Sequence, residues 1–162
     1  MTVITVTSPA GRLDAQQLKI LAKTLTDAVL VPEIGHDMPL ARIGFQVHFV
    51  ELPSTHMAIG GQLISENAAD IMVVDVAVMD GDWRQDVRAE VIDRILAALA
   101  AACGMDKPAD AWWVNLRVLE EGSWGSRGRV LSIHDLLKTG VFTEEKKRAI
   151  RNAIPAKGKI GH

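Results

Sequence analysis

The sequence predicts an α/β fold built from two copies of a β-α-β unit, and three observations carry that prediction. Two short β-branched strands, Val3–Thr7 and Ile71–Met79, each lead through a turn into a helix start of the form Asp-x-x-Gln, at Asp14–Gln17 and Asp82–Gln85. These starts lie about 70 residues apart in the chain. Each helical stretch is followed by a second strand in which apolar and polar residues alternate. Strands separated by a helix cannot form a hairpin, so the two strands of each unit are expected to run parallel with a right-handed crossover.

Each element has its own signal. At both Asp-x-x-Gln sites the Asp can accept from first-turn amides while the Gln reaches back, a variant capping box. The first helix carries Leu18, Leu21, Ala22, Leu25, Ala28 and Val29 on one stripe. The second carries Val87, Val91, Ile95, Ala98, Leu99 and Ala102. Gly104 is placed to cap the second helix. The second strands are Arg42–Glu51 and Ala111–Glu120. Their alternation buries one face and leaves the other polar, with Gln46, His48, Asn115 and Arg117 on it. Glycine-rich segments close the copies at Ala58–Gly61 and Gly122–Gly128. A tail follows, with Ile133–Val141, then Thr143 capping a short charged helix over Glu144–Ala153. The basic end Lys157–His162 is expected to be disordered.

The bulk numbers exclude several classes. The chain has 162 residues, one domain's worth, and a net charge of −2 that offers no field for nucleic acid or an anionic membrane. No apolar run reaches the roughly 18 residues of a membrane span, and no signal peptide is visible. Cys103 is the single cysteine, so no intrachain disulfide can form. A cytoplasmic protein without metal or organic cofactor is expected.

The opening Met1–Ala15, with Gly11-Arg12, and the stretch Glu51-Leu-Pro-Ser-Thr-His-Met-Ala-Ile-Gly-Gly-Gln-Leu63 resemble the tautomerase superfamily. Leu25–Ala28, Phe49–Pro53, Gly60-Gly61, Asp93–Ile95, Trp113-Val114 and Gly128-Arg129 resemble its double β-α-β group, most of all the cis-3-chloroacrylic acid dehalogenase-like subgroup with its long C-terminal tail. The similarity runs from Met1 to about Leu131. It implies a domain over 1–132, with repeats 1–66 and 67–132, and an extension over 133–162. It further implies a homotrimer of the macrophage migration inhibitory factor-like fold. Each subunit would have a mixed four-stranded sheet with helices on one face and an active site around the N-terminal residue.

In the family that residue is a proline acting as base, because a desolvated secondary amine loses its proton near neutral pH. This chain has Met1-Thr2 there, which makes Thr2 a candidate catalytic residue, through its α-amine or hydroxyl once Met1 is removed. Arg12 matches the arginine that grips substrate carboxylate, its other reading being a solvated turn arginine. Gln46 stands where a second arginine is found, and Met57 where an apolar wall residue is found. Asn115 is the second candidate catalytic residue, expected to polarise the substrate carbonyl together with Gln46. Asn115 and Arg117 share the polar strand face with Gln46, where they can meet a small acid or line a channel between subunits. The dehalogenase pattern is broken: Val29, Asp80, Trp83, Asn115 and Ser126 stand at its histidine, two arginines, tyrosine and glutamate. Chloroacrylate dehalogenation is therefore not expected. The resemblance implies an enzyme acting on a small keto/enol or unsaturated carboxylic acid by isomerisation or hydration. The alternative is a catalytically silent member that binds a small acid or a partner protein. An N-terminal Thr hydrolase is a more distant reading. Asp75 is expected to be buried and paired, His48 and His56 to be structural, and Cys103 to be inert packing.

Overall fold

The structure of the protein, a computed structural model, describes residues 1–155, so the end 157–162 lies outside the described residues. Its centre is a four-stranded sheet in the order β2-β1-β5-β6, with β1 Thr2–Pro9, β2 Phe45–Leu52, β5 Met72–Met79 and β6 Trp112–Leu119. β1 runs parallel to β2, β5 parallel to β6, and β1 antiparallel to β5 at the centre, so the sheet is mixed. The crossovers are the two long helices α1 (Ala15–Ile34) and α3 (Gln85–Ala102), which pack side by side on one face. Short hairpins, β3 (Ala58–Ile59) with β4 (Gln62–Leu63) and β7 (Gly125–Ser126) with β8 (Arg129–Val130), follow β2 and β6. A four-residue turn, α2 (Ile64–Asn67), precedes β5.

The period-two pattern sets which face is covered. Ile4 and Val6 of β1 and Val74, Val76 and Val78 of β5 are buried beneath Leu21, Leu25, Val29, Val91, Ile95 and Leu99. Each such side chain contributes about 1.5–3 kcal/mol by leaving water. Among the described residues the opposite face carries no helix. Register places three rows across it: Gln46–Val3–Ala77–Arg117, His48–Thr5–Asp75–Asn115, and Val50–Thr7–Val73–Trp113. Asp75 is on this open face and exposed, not buried as expected, because its alternation phase points it away from the helices.

The two Asp-x-x-Gln starts diverge. At α1 both capping-box bonds form: the Gln17 amide donates to Asp14 Oδ1 at 2.8 Å and the Asp14 amide to Gln17 Oε1 at 2.8 Å. At α3 the N-cap is Arg84, with no side-chain cap. Asp82 is instead bound by Arg84 at 2.7 Å and by Lys146 at 2.9 Å. β2 also starts three residues late, because 39–44 form a 3-10 turn in which Arg42 is held by Asp27 and Asp37. Gly104 ends α3 as expected. Its amide bonds Ala101 O and the Met105 amide bonds Ala100 O, with Gly104 at φ +66.

The C-terminal extension doubles back over the end of α1. It comprises α4 (Ile133–Leu136), a 3-10 turn, and α5 (Glu144–Ala153), which Thr143 caps as the sequence predicts. Ile133, Leu137, Phe142 and Ile150 form a second core with Leu30 and Ile34 of α1. α1 therefore continues past Val29 and through Pro32. The seam is close: Gly35 sits at φ +91, and a Cβ there would lie 2.5 Å from Thr143 Oγ1, so only glycine fits.

Candidate active site

The edge of the sheet where β1 begins holds a buried acid against the chain's amino group. Glu33 lies in the last turn of α1, its side chain 8% exposed. Its Oε1 is 3.8 Å from the Met1 ammonium nitrogen, and its Oε2 accepts from Thr2 Oγ1 at 3.4 Å. β1 brings Met1 and Thr2 here because its first residue pairs across to Val78 and Phe45, and the Met79 amide ties down the Met1 carbonyl at 3.1 Å. Burial pushes the Glu33 carboxyl above its ordinary range, with the ammonium, the Thr2 hydroxyl and Lys146 pulling the other way. The helix dipole adds to the push, since the C-terminal turn of a helix repels a negative charge.

Beside this pair is a cavity of about 210 Å³. Met1, Glu33 and Ile34 line it from the amine side, Phe45 from β2, and Val141 and Phe142 from the C-terminal extension. Among the described residues that line it, only Glu33 and Arg127 carry charged side chains. Arg127 reaches it from the β7–β8 turn, where Arg127 (φ 54) and Gly128 (φ 72) are both left-handed. Such turns favour Asn-Gly, and an arginine there pays a conformational cost of about 1–2 kcal/mol. Among the described residues Arg127 forms no ion pair, so its charge is open to an anion. The site thus presents a proton carrier whose affinity is raised by burial, a cation for an acid group, and an apolar chamber between them.

The residues selected from the sequence do not gather here. Thr2 does, but it is buried and acts on Glu33 through its hydroxyl. Arg12 lies beyond the far end of β1, roughly 25 Å of strand away at ~3.3 Å per residue. There it forms a bidentate pair with Asp70 (2.8 and 2.9 Å) and stacks 5.5 Å above the Trp112 ring. Met57 is buried at that same end, against Ile64 and Ile71. Gln46, Asn115 and Arg117 are exposed on the open face. Gln46 Oε1 is 3.0 Å from His48 Nε2, and Asn115 donates to Asp75 at 3.2 Å. Cys103 is half-buried at the end of α3, with Arg12 Nη1 3.6 Å from its sulfur, instead of deep in packing. Sequence reading missed Glu33 and Arg127. The available signals were an acid in a helix's last turn, where cations belong, and an arginine in a two-residue turn, where asparagine belongs. Among the described residues no three His, Cys, Asp or Glu side chains gather where they can hold a metal ion.

Neither a protein-family model nor a curated protein sequence matches this chain. Solved structures do. A member of the cis-3-chloroacrylic acid dehalogenase family aligns over 93% of this chain and 99% of its own, with TM-score 0.68 and 16% identity. A fused 4-OT solved as a symmetric trimer aligns over 82% and 96%, with TM-score 0.65 and 23% identity. A protein solved after inactivation by 2-oxo-3-pentynoate aligns over 83% and 98%, with TM-score 0.65 and 21% identity. At these identities the likeness is one of fold. The fold is that of the tautomerases: a mixed four-stranded sheet from two β-α-β units, with helices on one face.

Proposed function

We propose that the protein is a tautomerase-superfamily enzyme acting on a small keto/enol or unsaturated carboxylic acid, with the cavity at the start of β1 as its active site. The observation that carries this reading is the buried Glu33, raised in proton affinity and facing a chamber whose opposite charge is Arg127. Arg127 pairs with the substrate carboxylate. Glu33 removes a proton from the carbon next to the carbonyl, and the C–H electrons form the C=C bond as the carbonyl oxygen becomes an enolate. The adjacent ammonium balances the developing charge, and Glu33 returns its proton to that oxygen, giving the enol. Thr2 is a positioning residue for Glu33. In this reading Glu33 takes over the work that an N-terminal proline performs elsewhere in the superfamily.

The exposed sheet face supports a homotrimer, with Trp113 and Val50 as its apolar end and Gln46, Asn115 and Arg117 as inter-subunit contacts. One structural neighbour is a symmetric trimer.

The test is ketonisation of phenylenolpyruvate followed by absorbance, using protein of known N-terminal mass. Rate above buffer that is lost in Glu33→Gln supports the assignment. Full activity in Glu33→Gln removes it. Absence of any rate, with saturable binding of the acid, would favour the silent ligand-binding alternative. 2-Oxo-3-pentynoate, which inactivates one neighbour, supplies a second readout: peptide mass would show whether it adds to the amino terminus.

A further inference from the structure

Resting on that reading, we infer that the site selects monocarboxylic keto/enol acids that carry a bulky apolar substituent, and that the C-terminal extension supplies the selecting wall. The charge arrangement decides the first half. Among the described residues Arg127 is the single cationic side chain on the cavity wall, and the ammonium of Met1 is committed to Glu33. Among the described residues, a second substrate carboxylate faces apolar side chains, the Glu33 carboxylate and the Thr139 hydroxyl, which already donates to Leu136 O at 2.6 Å. Burying it there without a partner is strongly unfavourable.

Size and lining decide the second half. About 210 Å³ holds roughly seven waters at about 30 Å³ each. A two- or three-carbon acid leaves much of that apolar volume to water, whereas a branched or aryl substituent displaces it. Ile34 and Phe45 form the inner wall. Leu136, Val141 and Phe142 form the outer wall, all from the extension that the Lys146–Asp82 pair and the Thr143–Gly35 seam hold in place. Leu40 (84% exposed) and Ile43 (87% exposed) continue the apolar surface to the lip.

The experiment is exchange of C3 protons in D2O, followed by proton NMR, with pyruvate, oxaloacetate, 4-methyl-2-oxopentanoate and phenylpyruvate. The last two are expected to exceed the first two by at least tenfold in kcat/KM, the scale of one or more buried methylene groups. Val141→Phe, which fills the chamber, is expected to erase that advantage. Leu136→Ala is a second variant in case the first does not fold, and should lower the advantage. Oxaloacetate equal to or faster than the apolar acids overturns the inference and leaves the proposed function standing. No exchange with any acid overturns the proposed function. Thermal stabilisation by phenylpyruvate and not by oxaloacetate would then keep the pocket assignment, and stabilisation by neither would overturn both.

Discussion

Each end of the central sheet sets an arginine and a carboxylate close together, and the two ends use them in opposite ways. At the far end Arg12 and Asp70 close on each other through two hydrogen bonds, with Trp112 beneath the guanidinium. The pairing holds the Asp70 carboxyl below its ordinary range. At the near end Glu33 and Arg127 line one cavity without pairing. Glu33 is pushed up by burial, and Arg127 is held on a left-handed turn. A pair that satisfies itself has little left for a ligand, so the first end is structural. Charges kept apart across an apolar gap are set to be completed by something that enters it.

The most damaging test of this contrast exchanges acid for amide at both ends. Glu33→Gln is expected to lower turnover of an enol acid by about 10²–10⁴-fold, the range for removing a positioned acid–base group. Asp70→Asn should leave kcat within about twofold. Equal losses at the two ends, measured by the absorbance assay, would erase the distinction. Arg127→Ala ranks next. Losing a charge-assisted carboxylate contact should raise KM about tenfold or more, since about 1.4 kcal/mol is tenfold in affinity. kcat should move less than KM.

The third test addresses the wall of the cavity. The Asp82 side chain is 1% exposed and is held low because Arg84 and Lys146 outweigh its burial. Lys146→Met removes one of these two partners. About 2 kcal/mol of stability should go, with hydrogen bonds to charged groups contributing about 1.5–3 kcal/mol each. A chain of this size should then melt roughly 4–8 °C lower. Arg12→Ala breaks a more exposed pair and should cost only about 1 kcal/mol after solvent screening. A larger loss of activity than of stability in that variant would return Arg12 to the substrate.

The same contrast explains what was legible in the sequence. Strands and helices were legible because burial repeats every two or every 3.6 residues. The parallel units followed from their order, and the mixed sheet was expected from the resemblance. The second capping box failed because Asp82 meets Lys146, 64 positions later, and no local pattern encodes that ion pair. The site was obscured for the same reason. Glu33 reads as one acid at the end of an amphipathic helix, and Arg127 as one cation in a glycine-rich loop. Only the extension folding over Leu30 and Ile34, and β1 delivering Met1, turn them into a chamber. Arg12 drew notice because its motif is local, and a local motif does not reveal that Asp70 already occupies its guanidinium.

The smallest expected effect concerns pH, and its sign is the most specific. Glu33 is a carboxyl raised in the folded state, so it favours folding most below the unfolded carboxylate value near ~4.3. That contribution is lost as pH rises from there through the folded value, because the buried site resists ionisation. Glu33→Gln carries no such charge. The variant should therefore be more stable than the parent at pH 7 and should lose its advantage as pH falls towards 4, as urea unfolding at each pH would show. Activity should run the other way in the parent, rising with pH as Glu33 ionises to its basic form. A Glu33 that was only a structural partner of the amino terminus would give the opposite stability result, with the amide variant weaker at neutral pH because a buried ammonium had lost its counter-charge. Stability gained where activity is lost would identify Glu33 as a group kept at a cost to the fold for its chemistry.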